Sequence, residues 1–111
     1  MKMAQYGIGH DHAAGKARVM INSELIEFAG VFEPTDELRT AQANKEVYAD
    51  VHWFSNLEEI MEDSSIDAIA VEGKVSENLG FARTCLEHGK HVWLDKPAGD
   101  NLEEFREIIE L

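Results

Sequence analysis

Apolar positions along the chain alternate between short continuous runs and helical spacings. Met3 to Tyr6 forms a short run closed by Gly7 and Gly9, after which Ala13, Ala17, Met20 and Ile21 recur at the spacing of one helix face. Ile26 to Phe32 is a second run, rich in β-formers, and Glu33-Pro34 ends it because proline cannot extend the pairing. The segment PTDELRTAQANKE carries good helix formers behind a Thr35 or Asp36 cap, and VHWF at 51–54 predicts a third short strand. Ser55 and Glu58 stand at capping-box spacing ahead of a helix with Leu57, Ile60 and Met61 on its apolar side. The run DAIAV, from Asp67, is nearly all apolar, as in a central parallel strand covered on both faces. A helix from Val75 to His88 turns Leu79, Ala82, Cys85 and Leu86 inward and stops at Gly89. HVWLDKP reads as a fifth strand, and Leu102, Phe105 and Ile109 mark one face of a last helix.

Five strands alternating with helices predict an α/β fold, a doubly wound parallel sheet of order 3-2-1-4-5, because right-handed crossovers place helices on both faces. Such a sheet binds ligands beyond the carboxyl ends of its strands, at the switch point between the first and fourth strands. The residues expected there are Gly7 to His12, Glu33, Glu72 to Val75, and Asp95 to Pro97.

Composition narrows the partners. The chain has 111 residues, read as one domain spanning 1–111, with 22 acidic against 10 basic side chains and a formal charge of -12. That balance argues against a nucleic-acid partner, and the acidic runs NLEEIMED and NLEEFREIIE read as solvated helix faces. Cys85 is the single cysteine, so no internal disulfide can form; a reducing cytoplasm fits, and Cys85 reads as a small core residue. No apolar run approaches the roughly 18 residues of a membrane span, and the start of the chain lacks the pattern of a signal peptide. Neither a membrane partner nor export is expected.

The Gly7-x-Gly9 turn would aim backbone N–H groups and the positive end of the following helix at one point, which suits a phosphate. His12 holds the place of the third glycine of the dinucleotide fingerprint, and Gly15 could move the close approach of the helix up one turn, leaving His12 at the cleft floor to donate to a phosphate. Asp11 would then cap the helix or oppose the anion. Glu33, at the end of the second strand, could accept both hydroxyls of an adenosine ribose; a carboxylate there repels the extra phosphate of NADP, so NAD is favoured. Lys96 stands at the mouth of the same cleft, where an ammonium can hold a substrate oxygen. His10 and His12 lack a third ligand at metal-binding spacing, so no metal is expected.

From Asp67 to Pro97 the run DAIAVEGKVSENLGFARTCLEHGKHVWLDKP resembles, without gaps, the matching segment of the Gfo/Idh/MocA family of NAD(P)-dependent dehydrogenases. Gly89, Lys90, His91 and Val92 match the family's Ala-Gly-Lys-His-Val, and Asp95-Lys96-Pro97 stands for its Glu-Lys-Pro. The resemblance implies hydride transfer between nicotinamide and a sugar, cyclitol or related polyol, with Lys96 as the substrate-contacting, catalytic lysine. Together with the switch-point reading it places cofactor contacts at Gly7, Gly9, His10, Asp11, His12, Glu33, Glu72, Gly73, Asp95 and Pro97, with His12 a departure from the family's third glycine. The family's Thr-Pro-Asn is replaced by Gly73-Lys74-Val75 and its histidine by Asn78, so some contacts near the nicotinamide are changed, while Lys74 adds a cation that could meet an anionic substrate group. The family's substrate domain, with its catalytic histidine and the contacts that would make a homo-oligomer, has no counterpart in these residues, which therefore read as the cofactor domain. The alternatives are a non-catalytic NAD-binding or regulatory module and, more remotely, a metal-binding regulator using His10 and His12.

Overall fold

A computed structural model describes residues 1–10 and 12–94. Its described elements run β1 (Lys2–Tyr6), α1 (Ala13–Asn22), β2 (Glu27–Phe32), α2 (Asp36–Gln42), a 3-10 turn (Glu46–Tyr48), α3 (Glu58–Met61), β3 (Ala68–Val71), α4 (Val75–Glu87) and β4 (His91–Leu94). The strands form one parallel sheet in the order β2-β1-β3-β4. Each parallel step passes through at least one helix. Asp11, the segment Asp95 to Pro97 and the expected last helix with Leu102, Phe105 and Ile109 lie outside the described residues.

The expected third strand is reduced to a single parallel bridge between Val31 and Trp53. Two hydrogen bonds make it, from Val31 N–H to His52 O at 2.9 Å and from Phe54 N–H to Val31 O at 2.8 Å. The segment thus lies on the outer edge of β2, where the order 3-2-1-4-5 puts it, and the remaining described strands follow in that order. Gly30 is the reason the two segments come so close: its φ is +148°, and a Cβ there would strike the carbonyl of His52 and sit 2.9 Å from the Phe54 ring.

Alternation along the strands divides the core into two layers. Ala4, Tyr6, Ile69 and Val71 face α3 and α4, packing with Phe54, Ile60, Ala82 and Cys85. Met3, Ala68 and Ala70 face α1 and pack against Met20, and Ala17 joins Ile8, Val31 and Tyr48 beside them. All four residues of β3 are buried, as its apolar run predicts. Helix α4 buries Leu79, Ala82 and Cys85 and ends at Gly89 with φ +76°; Leu86 is only half-buried. Ile21 is 41% exposed rather than on the inner face of α1, which is lined by Ala13, Lys16, Ala17 and Met20. Capping of α3 falls one residue later than expected: Glu59 N–H donates to Asn56 Oδ1 at 3.1 Å, and the Glu59 carboxylate accepts from Ser55 and Asn56 N–H at 2.8 and 3.2 Å. Thr35 occupies the N-cap of α2, but its side chain makes no capping bond.

The Gly89-Lys90-His91-Val92 stretch has a mechanical role. The Lys90 side chain is buried, and its Nζ donates to the carbonyls of Asp63 and Ile66 at 2.6 and 2.9 Å, tying the loop before β3 to the start of β4. Lys90→Met leaves those carbonyls without their donor and should cost about 2 to 3 kcal/mol in urea unfolding.

Burial also pushes the Cys85 thiol up to about 12 from its ordinary 9.0, and the Tyr6 phenol to about 12 from 10.0. Both groups keep their protons in the native state where the unfolded chain releases them. Their contribution to stability is therefore complete below about pH 9 and is lost as pH rises toward 12. Thermal melts should fall across that window, and Cys85 should resist alkylation at pH 8 until the chain is unfolded.

Candidate functional site

The four strands end together at Tyr6, Phe32, Val71 and Leu94, and the turn after β1 lies over the middle of that edge. Gly7 starts it with φ +94°. A Cβ on Gly7 would lie 2.6 Å from Gly73 N and 2.8 Å from Gly73 Cα, so the turns after β1 and β3 touch backbone to backbone. A Cβ on Gly9 would lie 3.0 Å from Lys74 Cγ and 3.2 Å from Lys74 N. On its other side Gly73 meets Phe81, whose ring stacks on Tyr6 with centroids 4.0 Å apart. The structure therefore brings Gly7, Gly9, Gly73 and Lys74 into one group, and glycine is required where the contact is closest.

The turn is held by the ends of both neighbouring strands. On the β2 side, Gly7 N–H donates to Phe32 O at 2.7 Å and Ile8 N–H to Glu33 Oε1 at 2.9 Å. The other oxygen of Glu33, a buried side chain, accepts from Thr35 N–H at 2.8 Å. On the β3 side, Glu72 N–H donates to Tyr6 O and Glu72 O accepts from His10 N–H, both at 2.9 Å. His12 N–H donates to His10 Nδ1 at 3.0 Å, and Ala13 N–H to His10 O at 3.0 Å. This changes the expectation of a row of open donors: of the described turn residues from Gly7 to His10, Gly9 is the one whose N–H the fold does not use. Glu33 keeps acceptor capacity beyond its two bonds, since a carboxylate has about four lone-pair sites.

Two expectations about α1 are corrected. His12 is exposed instead of lying at the cleft floor. Gly15 has nothing within 4 Å of its Cβ direction, so the close approach belongs to Gly7 and Gly73 and does not pass to Gly15. The rings of His10 and His12 have centroids 5.0 Å apart, with His10 Nδ1 engaged by the His12 backbone; among the described residues no group of three or more His, Cys, Asp or Glu is placed to hold a metal. Lys74 is exposed at the N-cap of α4, where its N–H donates to the Glu77 carboxylate at 3.0 Å. Lys96, expected to be catalytic, with Asp95 and Pro97, and Asp11, expected to contact the cofactor, fall outside the described residues.

Beneath the turn lies a feature the sequence reading passed over. Glu72 is fully buried, and its Oε1 is 2.8 Å from Lys16 Nζ, itself on the buried face of α1. The Lys16 ammonium also stands 4.1 Å from the centroid of Trp93 on β4. The signal was present: Lys16 falls between Ala13, Ala17 and Met20 on the apolar stripe, where a cation calls for a buried partner. Gln5, also fully buried, donates to Gly7 O at 3.0 Å and to Tyr48 Oη at 3.3 Å, supporting the turn from below. Asn78 is buried on α4 with neither side-chain amide atom hydrogen-bonded, and its Oδ1 would be 3.1 Å from a Cβ on Gly73. A cleft of about 830 Å³ opens elsewhere, between α1, the start of β2 and the 3-10 turn, and none of the expected site residues lines it.

The sequence matches the family described as the oxidoreductase family with an NAD-binding Rossmann fold, over residues 4–111, and the chain belongs to that family. A protein of Erwinia carotovora atroseptica SCRI1043 superposes with a TM-score of 0.84 at 25% identity, covering 99% of this chain and 32% of that one. UDP-N-acetylglucosamine 3-dehydrogenase GnnA of Acidithiobacillus ferrooxidans gives a TM-score of 0.78 at 22% identity, over 99% and 34% of the two chains. The uncharacterized oxidoreductase YhhX of Escherichia coli (strain K12) is 28% identical over 65 residues, 59% of this chain and 19% of its own length. The chain thus spans about a third of the solved relatives and a fifth of the curated one.

Because Gly7 must hold a positive φ while its α-carbon faces Gly73 backbone, Gly7→Ala should lose at least about 2 kcal/mol in urea unfolding. Gly15→Ala, in open space, should be neutral or stabilising in the same measurement.

Proposed function

We propose that this chain is the cofactor-binding portion of a dehydrogenase that moves hydride between NAD and a sugar, cyclitol or related polyol. The observation that carries the reading is Glu33: a carboxylate at the carboxyl end of β2, bonded to the glycine turn itself, stands where an adenosine ribose is held in a Rossmann domain. The contact of Gly7 with Gly73 supports it, since a close-packed floor without side chains lets a pyrophosphate approach the backbone. When bound, the nicotinamide supplies the hydride chemistry. The residues proposed to hold the cofactor are Gly7, Gly9, His10, Asp11, His12, Glu33, Glu72, Gly73, Asp95 and Pro97, with Glu72 acting from below the turn. Lys96 is proposed to steady the reacting substrate oxygen, and Lys74 to meet an anionic substrate group. The sugar-nucleotide chemistry named for GnnA is in keeping with the substrate class. For the whole protein we propose a cytoplasmic enzyme that assembles as a homo-oligomer. A second reading, a non-catalytic NAD-binding module, draws on the turn N–H groups already used within the fold.

NAD is favoured over NADP because the Glu33 carboxylate would face the added phosphate. Calorimetric titration of the purified chain should show NADH binding at least about tenfold tighter than NADPH. Glu33→Gln keeps an acceptor for Ile8 N–H while removing the charge, and should narrow that ratio. No heat with either cofactor from a folded chain, or tighter binding of NADPH, would overturn the reading.

A further inference from the structure

The Lys16–Glu72 pair sits under the turn that the reading above assigns to a dinucleotide. Glu72 reaches that turn through its carbonyl, which accepts from His10 N–H at 2.9 Å, and its Oε2 lies 3.8 Å from His10 Nδ1, the nitrogen that accepts from His12 N–H. Its other oxygen meets Lys16 at 2.8 Å, and Lys16 in turn lies over Trp93. A buried ion pair brings little stability over a well-packed apolar pair of the same volume, so stability alone does not account for two charges here. Electrostatics does. A pyrophosphate is an anion, the chain as a whole carries -12, and a bare carboxylate fully buried below the phosphate position would repel it through a medium that screens poorly.

We propose that Lys16 is a positioning residue for cofactor binding: by cancelling the charge of Glu72 it lets an anionic bridge settle over a turn that has a carboxylate beneath it. This rests on the dinucleotide reading. Among the described residues, the titratable groups facing Glu72 are Lys16 from α1, His10 from the turn and Tyr48 from the 3-10 turn, whose phenol burial keeps protonated. Removing Lys16 leaves a buried carboxylate that takes up a proton more readily than an exposed one. Cofactor affinity should then acquire a pH dependence, recovering as the pH falls and Glu72 is neutralised.

The test is calorimetric titration of NAD, whose pyrophosphate stays charged throughout, into the wild-type chain, Lys16→Met and the double variant Lys16→Met/Glu72→Gln at pH 6 and pH 8. Circular dichroism checks folding. Lys16→Met should bind about tenfold more weakly than wild type at pH 8 and move back toward it at pH 6. The double variant should bind like wild type at both values; an equal rise in affinity at pH 6 in wild type and Lys16→Met would belong to His10 rather than Glu72 and would overturn the proposal. Equal binding by Lys16→Met and wild type, or the same loss at both pH values, would overturn the proposal while leaving the dinucleotide site intact. Absence of binding by the folded wild-type chain would overturn both. Should Lys16→Met fail to fold, Glu72→Gln alone decides: with the carboxylate gone and Lys16 kept, NAD binding should hold or tighten with a steeper salt dependence, and weaker binding would overturn the proposal.

Discussion

The turn between β1 and α1 has more backbone donors than so short a loop can satisfy by itself, and a buried donor left without an acceptor is costly. Its solution draws in every neighbouring element. Phe32 and Glu33 supply acceptors from β2, Glu72 from β3, and the His10 ring from within the turn. In consequence the turn cannot be moved without disturbing two strand ends, and the strands cannot slip in register without releasing the turn. Gln5 adds a donor from below, to the carbonyl of Gly7. The site is rigid because the same hydrogen bonds that end the strands also shape the loop above them.

Much of the fold was legible in the sequence, for physical reasons that differ from element to element. The run DAIAV announced a strand buried on both faces, and Gly89 a helix end, because burial and positive φ leave few alternatives. VHWF announced a strand and gave one bridge: β-propensity describes a surface that fits a sheet, and here Gly30 admits the neighbour at a single point. The gathering of Gly7, Gly9, Glu33 and Gly73 at one strand edge was legible, because there backbone geometry is the message. The site was not legible where side chains meet across the fold. The role of Lys16 shows only when its stripe is set against β3 and β4, and spacing alone could not tell that His12 points outward or that Gly15 faces open space.

Lys90 and Lys16 show two different uses of a buried ammonium. Lys90 donates to main-chain carbonyls at the amino edge of the sheet and stitches a loop in place. Lys16 meets a carboxylate and an aromatic ring near the carboxyl edge. The first satisfies neutral dipoles and leaves a net positive charge inside; the second cancels a charge. In a chain with so strong an acidic excess, the first arrangement ties a loop to the sheet, and the second keeps a buried carboxylate from adding to the local negative charge.

The backbone contact between Gly7 and Gly73 also fixes the depth of the crevice. With the two turns touching, the floor between them is closed by main-chain atoms whose spacing no rotamer change can adjust. Widening it would need one strand end to shift against its neighbour, so the crevice is as fixed as the register of the sheet itself.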